Sequence, residues 1–115
     1  MSLYGQLMLE YPDVFQNNGD GPGVEDGWIR EILYPLCAKL RELGIGPEFH
    51  VDQIKEKFGG LRFYASGETD EQYEAICAAE KESYEVCELC GSREYVSSKG
   101  GWVKTYCERC HERYS

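Results

Sequence analysis

The sequence contains no long hydrophobic run. Its apolar stretches extend over only a few residues, whereas a transmembrane helix needs about 20 consecutive apolar residues, so we expect no membrane partner. The apolar stretch at residues 4–10 is too short for a secretory signal peptide, and it lacks the basic flank of one. These two absences predict a cytoplasmic protein.

Histidine and positive charge are scarce. The chain has 2 His, and its 12 Lys and Arg residues are outnumbered by 21 Asp and Glu residues, which gives a formal net charge of −9. Residues 1–85 carry a net charge of −10, and residues 86–115 carry +1. A protein that coats a nucleic acid normally presents a basic surface. The acidic body therefore disfavours that function, and only the C-terminal segment is electrostatically permissive.

Cysteine, by contrast, is abundant, with 6 in 115 residues. Four of them form two Cys-x-x-Cys pairs, Cys87 with Cys90 and Cys107 with Cys110, and sixteen residues separate the pairs. Such a pair chelates one face of a tetrahedral ion, and a loop of about 15–20 residues returns the second pair. Because four thiolates leave no open coordination position, the motif predicts a structural zinc ion.

Alternatives remain open for these cysteines. Iron uses the same ligand set, and disulfides would use the same residues. Reduced thiols are favoured because no export signal is seen and because Cys37 and Cys77 lie within apolar helical patterns. His111 directly follows Cys110 and is a competing fourth ligand; the spacing of the first pair favours Cys110.

The first quarter of the chain predicts an irregular lead-in and then a helix. The lead-in covers residues 1–25 and includes a dense run of turn formers at 17–23. Apolar residues then recur at helical spacing over about 27–43, with Asp26 as the expected N-cap. Pro35 lies inside this pattern and is expected to kink the helix, because it lacks the N–H that would bond four residues back.

A two-residue Gly59-Gly60 connection between alternating runs predicts a β-hairpin. Pairing Phe58 with Leu61 divides the side chains between two faces, with Glu56 as the polar exception on the apolar one. The apolar face contains Ile54, Phe58, Leu61, Phe63 and Ala65, and the polar face contains Gln53, Lys55, Lys57, Arg62 and Tyr64. The alternative is a short helix that ends at Gly59.

A second helix and a small finger complete the chain. Thr69 and Gln72 resemble a capping box, so we expect a helix from about residue 70 to the first cysteine pair. Residues 95–96 and 102–106 are typical of two short strands, and a short helix follows Cys107. The predicted fold is α+β: two helices packed on a small antiparallel hairpin, with a C-terminal finger of the treble-clef or zinc-ribbon kind. We divide it into a body, residues 1–86, and the finger, residues 87–115.

Three segments resemble small proteins encoded by bacteriophages and prophages that carry a C-terminal four-cysteine zinc finger. These are Asp-Gly-Trp-Ile at 26–29, Gln-Ile-Lys-Glu-Lys-Phe-Gly-Gly-Leu-Arg-Phe-Tyr at 53–64, and Cys-Glu-Leu-Cys-Gly followed by Gly-Gly-Trp-Val-Lys-Thr-Tyr-Cys in the finger. The likeness covers roughly residues 19–111, and the central block is its most specific part. It implies a phage-type origin and a bacterial cytoplasm, and it supplies no catalytic residues.

Two basic and aromatic groups are candidate anion- or nucleic-acid-binding residues, because bases interleaved with aromatic rings bind single strands. They are Lys55, Lys57, Arg62 and Tyr64 on the hairpin, and Lys99, Trp102 and Lys104 in the finger. In so acidic a chain, the first group also fits a solvated face paired with acids. Trp102 equally fits a plug that covers the metal site.

The sequence favours binding over catalysis. The expected function is a zinc-stabilised protein that binds another protein, and the alternative is a nucleic-acid-binding or transcription-regulating module. A third hypothesis is a small hydrolase built on His50 and Asp52, which are two residues apart in a strand and can act as base and orienting group or as metal ligands.

Overall fold

The computed structural model describes residues 2–16 and 23–114, and it corrects the predicted lead-in. Helix α1 spans Leu3–Glu10, and its first turn is capped by Ser2, whose hydroxyl accepts a hydrogen bond from the Gly5 N–H at 3.0 Å. The Leu7 side chain is completely buried, so α1 is held by the core rather than by its own weak amphipathicity. The turn predicted at 17–23 lies, apart from its last residue, outside the described residues.

The first predicted helix is present, with a π-helical interruption. Helix α2 (Asp26–Trp28) continues into a π-helical segment (Ile29–Leu33) and then into helix α3 (Tyr34–Leu43). The discontinuity expected at Pro35 takes this form: the segment before the proline widens, and the Tyr34 N–H bonds to the Ile29 carbonyl five residues back. Asp26 is the first helical residue rather than the N-cap, so that prediction was wrong by one position.

The hairpin is confirmed, but its turn lies one residue earlier than predicted, so Leu61 pairs with Glu56 and not with Phe58. Strands β1 (His50–Lys57) and β2 (Gly60–Ser66) pair antiparallel, with Lys57 opposite Gly60. The turn is Phe58-Gly59, and both residues have positive φ, +53° and +83°, as a type I′ turn requires. Phe58 therefore leaves the apolar face and is 72% exposed.

Gly60 is the first residue of β2 rather than part of the turn. A Cβ built on Gly60 would meet the hydroxyl end of the Tyr84 side chain, which packs closely over this position. Only Gly59 serves the turn. The Gly-Gly dipeptide predicts the hairpin correctly, but Gly59 lies in the turn and Gly60 lies in β2.

The second helix, α4, spans Asp70–Glu82 and continues as a 3₁₀ turn over Ser83–Glu85. Its predicted capping box is confirmed: the Gln72 N–H donates to the Thr69 hydroxyl at 3.1 Å, and the Thr69 N–H donates to the Gln72 side chain at 2.8 Å. In the finger, strands β3 (Val96–Lys99) and β4 (Lys104–Cys107) form a second hairpin, and helix α5 spans Glu108–Tyr114.

The core lies between the helices and the inner face of the first hairpin, and it confirms the α+β class. Trp28 is completely buried in this core. Other fully buried core side chains are Leu7, Val14, Leu33, Cys37, Leu40, Phe49, Leu61 and Val86. This core belongs to the body of the molecule; the finger packs against its edge.

Candidate metal centre and its surroundings

The structure brings the four paired cysteines together. The Sγ atoms of Cys87, Cys90, Cys107 and Cys110 all lie within 4.8 Å of one another. The Cys90 and Cys107 sulfurs are 3.7 Å apart, close to the separation of about 3.8 Å that a tetrahedral ion with Zn–S bonds of about 2.3 Å imposes. A disulfide needs about 2.05 Å, and all six cysteines are free. The cluster can hold a metal ion, and its donor set and spacing are consistent with zinc.

The first cysteine pair lies in a tight knuckle. Gly91 has φ +81°, and its N–H bonds to the Cys87 carbonyl at 3.0 Å, which folds the chain back over the sulfur. Burial tends to raise the pKa of Cys87, but hydrogen bonds from the backbone N–H groups of Cys90 and Cys107 more than offset it and lower the pKa to about 7. The backbone therefore stabilises the thiolate form, which is the form that binds metal.

The second pair comes from the other hairpin. Cys107 is the last residue of β4, and Cys110 lies in the first turn of α5. His111, the competing fourth ligand, is not part of the sulfur cluster; its Nε2 lies 2.8 Å from the Ser97 carbonyl oxygen on β3. The histidine thus ties α5 to the finger hairpin, and Cys110 completes the set of four sulfurs.

The start of the long helix supports the knuckle. The Trp28 indole N–H donates to the Val86 carbonyl at 2.8 Å, directly before the first cysteine. Arg30 donates to the Cys90 carbonyl at 3.0 Å. A Cβ on Gly27 would lie 2.5–2.6 Å from backbone atoms of the knuckle, so only glycine permits this approach.

The turn of the first hairpin supports the finger from a second side. The Thr105 hydroxyl donates to the Gly59 carbonyl at 2.5 Å. The Lys104 ammonium group lies 3.0 Å from Glu56, whose carboxylate also accepts the Gly59 N–H at 2.7 Å. Glu56, the polar exception on the hairpin's apolar face, therefore joins body and finger.

A buried carboxylate completes the junction. Glu88 is 2% exposed, and it accepts the Thr105 N–H at 2.7 Å while its own N–H donates to the Thr105 carbonyl at 2.9 Å. Burial raises the pKa of the Glu88 carboxyl group to about 6. Sequence reasoning missed this residue, since a glutamate between two cysteines gives no sign of burial.

Residues 26–29, the turn of the first hairpin and the finger meet at this junction. The Asp26–Ile29 segment contacts the knuckle, the hairpin turn contacts β4, and the finger supplies the cysteines. Sequence reasoning did not find this convergence. The available signal was glycine: Gly27, Gly59 and Gly91 each lie where a Cβ would meet a neighbouring atom at less than 3.0 Å.

The two predicted basic groups differ in their surroundings. Lys55 lies over the Tyr64 ring, with its Nζ 5.9 Å from the ring centroid, and Arg62 lies 3.5 Å from the Tyr84 hydroxyl. These side chains occupy the solvent face of the first hairpin. Lys57, in contrast, lies at the hairpin tip and lines a cavity together with finger residues.

Trp102 does not cover the metal site. It is 88% exposed at the tip of the finger hairpin. It borders a cavity of about 220 Å³ whose other walls are Glu56, Lys57, Phe58, Val103 and Lys104. It also borders a second depression, of about 600 Å³, that Lys99 and Lys104 share. The structure therefore places Lys57, Lys99, Trp102 and Lys104 together and leaves Lys55, Arg62 and Tyr64 outside this group.

His50 and Asp52 form a close pair in β1. The His50 Nδ1 atom lies 2.7 Å from one Asp52 carboxylate oxygen, and the Ser66 hydroxyl donates to the other at 2.6 Å. The bonds from Ser66 and from His50 lower the pKa of Asp52 below its usual value. Because Ser66 donates to the carboxylate rather than to the imidazole, the arrangement provides no hydroxyl activated by His50. Among the described residues, the four cysteines are the metal-ligand cluster, and it does not include this pair.

Comparisons of the chain with protein-family models, with curated proteins and with solved structures found no match. Within residues 2–16 and 23–114, no helix combines the length and the apolar character needed to cross a bilayer.

Proposed function

We propose that this chain is a zinc-stabilised binding protein of the phage or prophage type that acts in a bacterial cytoplasm by contacting another protein. One observation carries the proposal: four sulfurs lie within 4.8 Å of one another and supply all the ligands of a tetrahedral ion. Such a site leaves no position for water or substrate, so its ion holds structure and activates nothing.

The finger's composition supports a structural role for zinc. Among its described residues, 87–114, the buried apolar side chains are those of Cys87 and Cys107, and both belong to the sulfur cluster. Without an ion the segment has almost no core of its own. Structural zinc contributes about 10–16 kcal/mol of apparent binding free energy in small fingers, which is enough to order such a segment.

The exposed aromatic side chains support binding rather than chemistry. Trp102 and Phe58 present large apolar surfaces at neighbouring turns, and both border the same cavity. Tryptophan and other aromatic residues are enriched at the centres of protein interfaces, where they contribute most of the affinity. Together, a rigid metal-held finger and these exposed rings are typical of an interaction module.

Nucleic-acid binding is the second candidate, and the position of Lys57 beside Trp102 and Lys104 favours it. It predicts retardation of single-stranded DNA or RNA at low salt, and affinity that falls as salt rises. The triple variant Lys55→Ala, Lys57→Ala, Arg62→Ala should then bind more weakly. The net charge of −9 opposes this candidate, because the acidic body repels phosphate.

The test of the main proposal is crosslinking of the tagged, zinc-loaded protein in a bacterial host that carries its gene. We expect a protein partner that is recovered with the wild type and lost with Cys110→Ser, which removes one ligand. Cys77→Ser, a half-buried cysteine outside the cluster, is the matched control and should retain the partner. The purified partner should then bind directly in calorimetry. Recovery of nothing above background contradicts the proposal.

A further inference from the structure

Resting on the proposed function, we infer that the partner docks at the tips of the two hairpins. We call this region the tip surface and define it by Lys57, Phe58, Lys99, Trp102, Val103 and Lys104. The occupant is a short acidic segment of a partner protein, with one apolar anchor side chain in the cavity and flanking carboxylates on the lysines.

The apolar part of the tip surface is unusual for a position exposed to water. Phe58 lies in a type I′ turn with φ +53°, where Asn or Gly is preferred, and its ring is 72% exposed. Trp102 is 88% exposed on the facing turn. Neither ring contributes to the described core, so neither is accounted for by the stability of the fold.

The cavity between these rings has the size of a single side chain. Its volume is about 220 Å³, and Trp102 and Lys104 also border a neighbouring depression of about 600 Å³ that includes Lys99. Phe58, Trp102 and Val103 provide its apolar walls. An aromatic or aliphatic side chain from a partner would be enclosed there, as anchor residues are at interfaces.

The charge of the tip surface is opposite to that of the rest of the molecule. Lys57 and Lys99 are exposed, and among the described residues neither forms an ion pair. Lys104 is engaged by Glu56 at 3.0 Å. Lys57 lies with its Nζ 6.0 Å from the centroid of the Phe58 ring. In a chain of net charge −9, two ammonium groups without an ion-pair partner beside an apolar cavity match a segment that carries one or two carboxylates.

The small number of lysines without an ion-pair partner also disfavours a nucleic acid as the occupant of the tip surface. Two unpaired lysines neutralise two phosphates, which gives a salt slope of only about 1.4 on logarithmic axes for a single strand. A strand that extends beyond the tip surface meets a body of net charge −10 over residues 1–85. An acidic segment of a few residues avoids that repulsion, because it ends within the patch.

The test is selection of a displayed random peptide library on the zinc-loaded wild-type chain, with counter-selection on Trp102→Ala. We expect enrichment of peptides that contain one large apolar residue flanked by Asp or Glu. The two tryptophans then act as reporters in ¹⁵N spectra: the exposed Trp102 indole N–H should shift on titration, and the buried Trp28 indole N–H should not.

Variants locate the contact. Trp102→Ala should weaken a selected peptide at least tenfold and Lys57→Ala about threefold to fivefold, consistent with hot-spot and rim residues. Tyr73→Ala is the matched control, because Tyr73 is 58% exposed on α4 and lies outside the tip surface. The affinity of this variant for the selected peptide should equal that of the wild type. Zinc content, measured for each variant, verifies that the finger is intact.

Three outcomes would overturn the inference. They are no enrichment, enrichment of neutral or basic peptides, and affinity that survives Trp102→Ala. Oligothymidylate that binds more tightly than the peptides and shifts the Trp102 indole would assign the surface to nucleic acid instead. A partner recovered from host cells that binds Trp102→Ala normally would refute the tip surface and leave the proposed function standing. Failure to recover any partner refutes the proposed function itself.

Discussion

Gly27→Ala tests the junction between the long helix and the metal knuckle. A Cβ at this position would lie 2.5 Å from the Cys87 carbonyl oxygen, 2.6 Å from the Glu88 carbonyl oxygen and 2.6 Å from the Gly91 nitrogen. All three are backbone atoms, so no side chain can rotate away. Relief requires the knuckle to move by about 0.5 Å, since Cβ contacts below about 3.0 Å are essentially never observed.

The magnitude follows from two opposing effects. Forced overpacking of this kind costs about 1–3 kcal/mol. Alanine gains at most about 1 kcal/mol of helix propensity over glycine, and less in a first turn, where Gly27 lies. We therefore expect a net loss of about 1–2 kcal/mol in the free energy of unfolding. For a domain of this length, that corresponds to a melting temperature lower by about 4–10 °C.

The assay is thermal and urea unfolding of the zinc-saturated protein, followed by circular dichroism. Gly46→Ala is the control, because a Cβ there meets no atom within 4 Å; we expect it to be neutral or to stabilise slightly. Gly27→Ala should also release zinc to a competing chelator faster than the wild type, because the displaced knuckle carries Cys87 and Cys90. Wild-type stability in Gly27→Ala, or an equal loss in Gly46→Ala, would refute the reasoning.

Three further perturbations have definite expected outcomes. Glu88→Gln keeps an acceptor for the Thr105 N–H but removes a carboxyl group whose pKa in the folded protein is raised from 4.5 to about 6. The stability that this group contributes to the wild type is present below pH 4.5 and is lost as the pH rises through 6. At pH 7 we therefore expect urea unfolding to show Glu88→Gln more stable by up to about 2 kcal/mol, and an equal gain at pH 5 would contradict this. Trp28→Phe removes the donor to the buried Val86 carbonyl and should cost about 1–3 kcal/mol by the same method; no loss would show that the bond is dispensable. Chelation of zinc should abolish amide-exchange protection in residues 87–110 before that of α4, and simultaneous loss would show that finger and body unfold as one unit.

The features that sequence predicted well are those set by local chemistry. The two cysteine pairs, the capping box at Thr69 and Gln72, and the alternation of the first hairpin each depend on residues close together in the chain. Their signals are strong because few structures besides a metal site or a helix start place these residue types at these spacings. The four-cysteine cluster and the α+β class followed directly from them.

The features that sequence missed depend on contacts between distant segments. Helix α1 has little amphipathic character of its own and forms because Leu7 is enclosed by the core. The first hairpin turns at Phe58-Gly59 rather than at the Gly-Gly pair, and Gly60 lies against Tyr84, a contact across 24 positions that gives no local sign. The buried state of Glu88 and the exposed state of Trp102 likewise follow from how the finger docks, and no periodicity in either segment encodes that.

The position of Pro35 is an intermediate case. Its missing N–H predicts a break in the helix, and the structure answers with a π-helical segment over Ile29–Leu33 that keeps the helix continuous. Which of several accommodations a proline produces depends on packing, since Trp28, Ile32 and Leu33 must all remain buried. The sequence predicts where the helix is irregular, and packing in the core determines which kind of irregularity forms there.

The most direct test of the account is X-ray absorption at the zinc edge on the purified protein, together with its metal content. Four sulfurs that already lie within 4.8 Å of one another should give one zinc ion per chain with four sulfur scatterers at about 2.3 Å. A chain that contains no zinc, a shell that includes nitrogen or oxygen, or cysteines found oxidised to disulfides would contradict it.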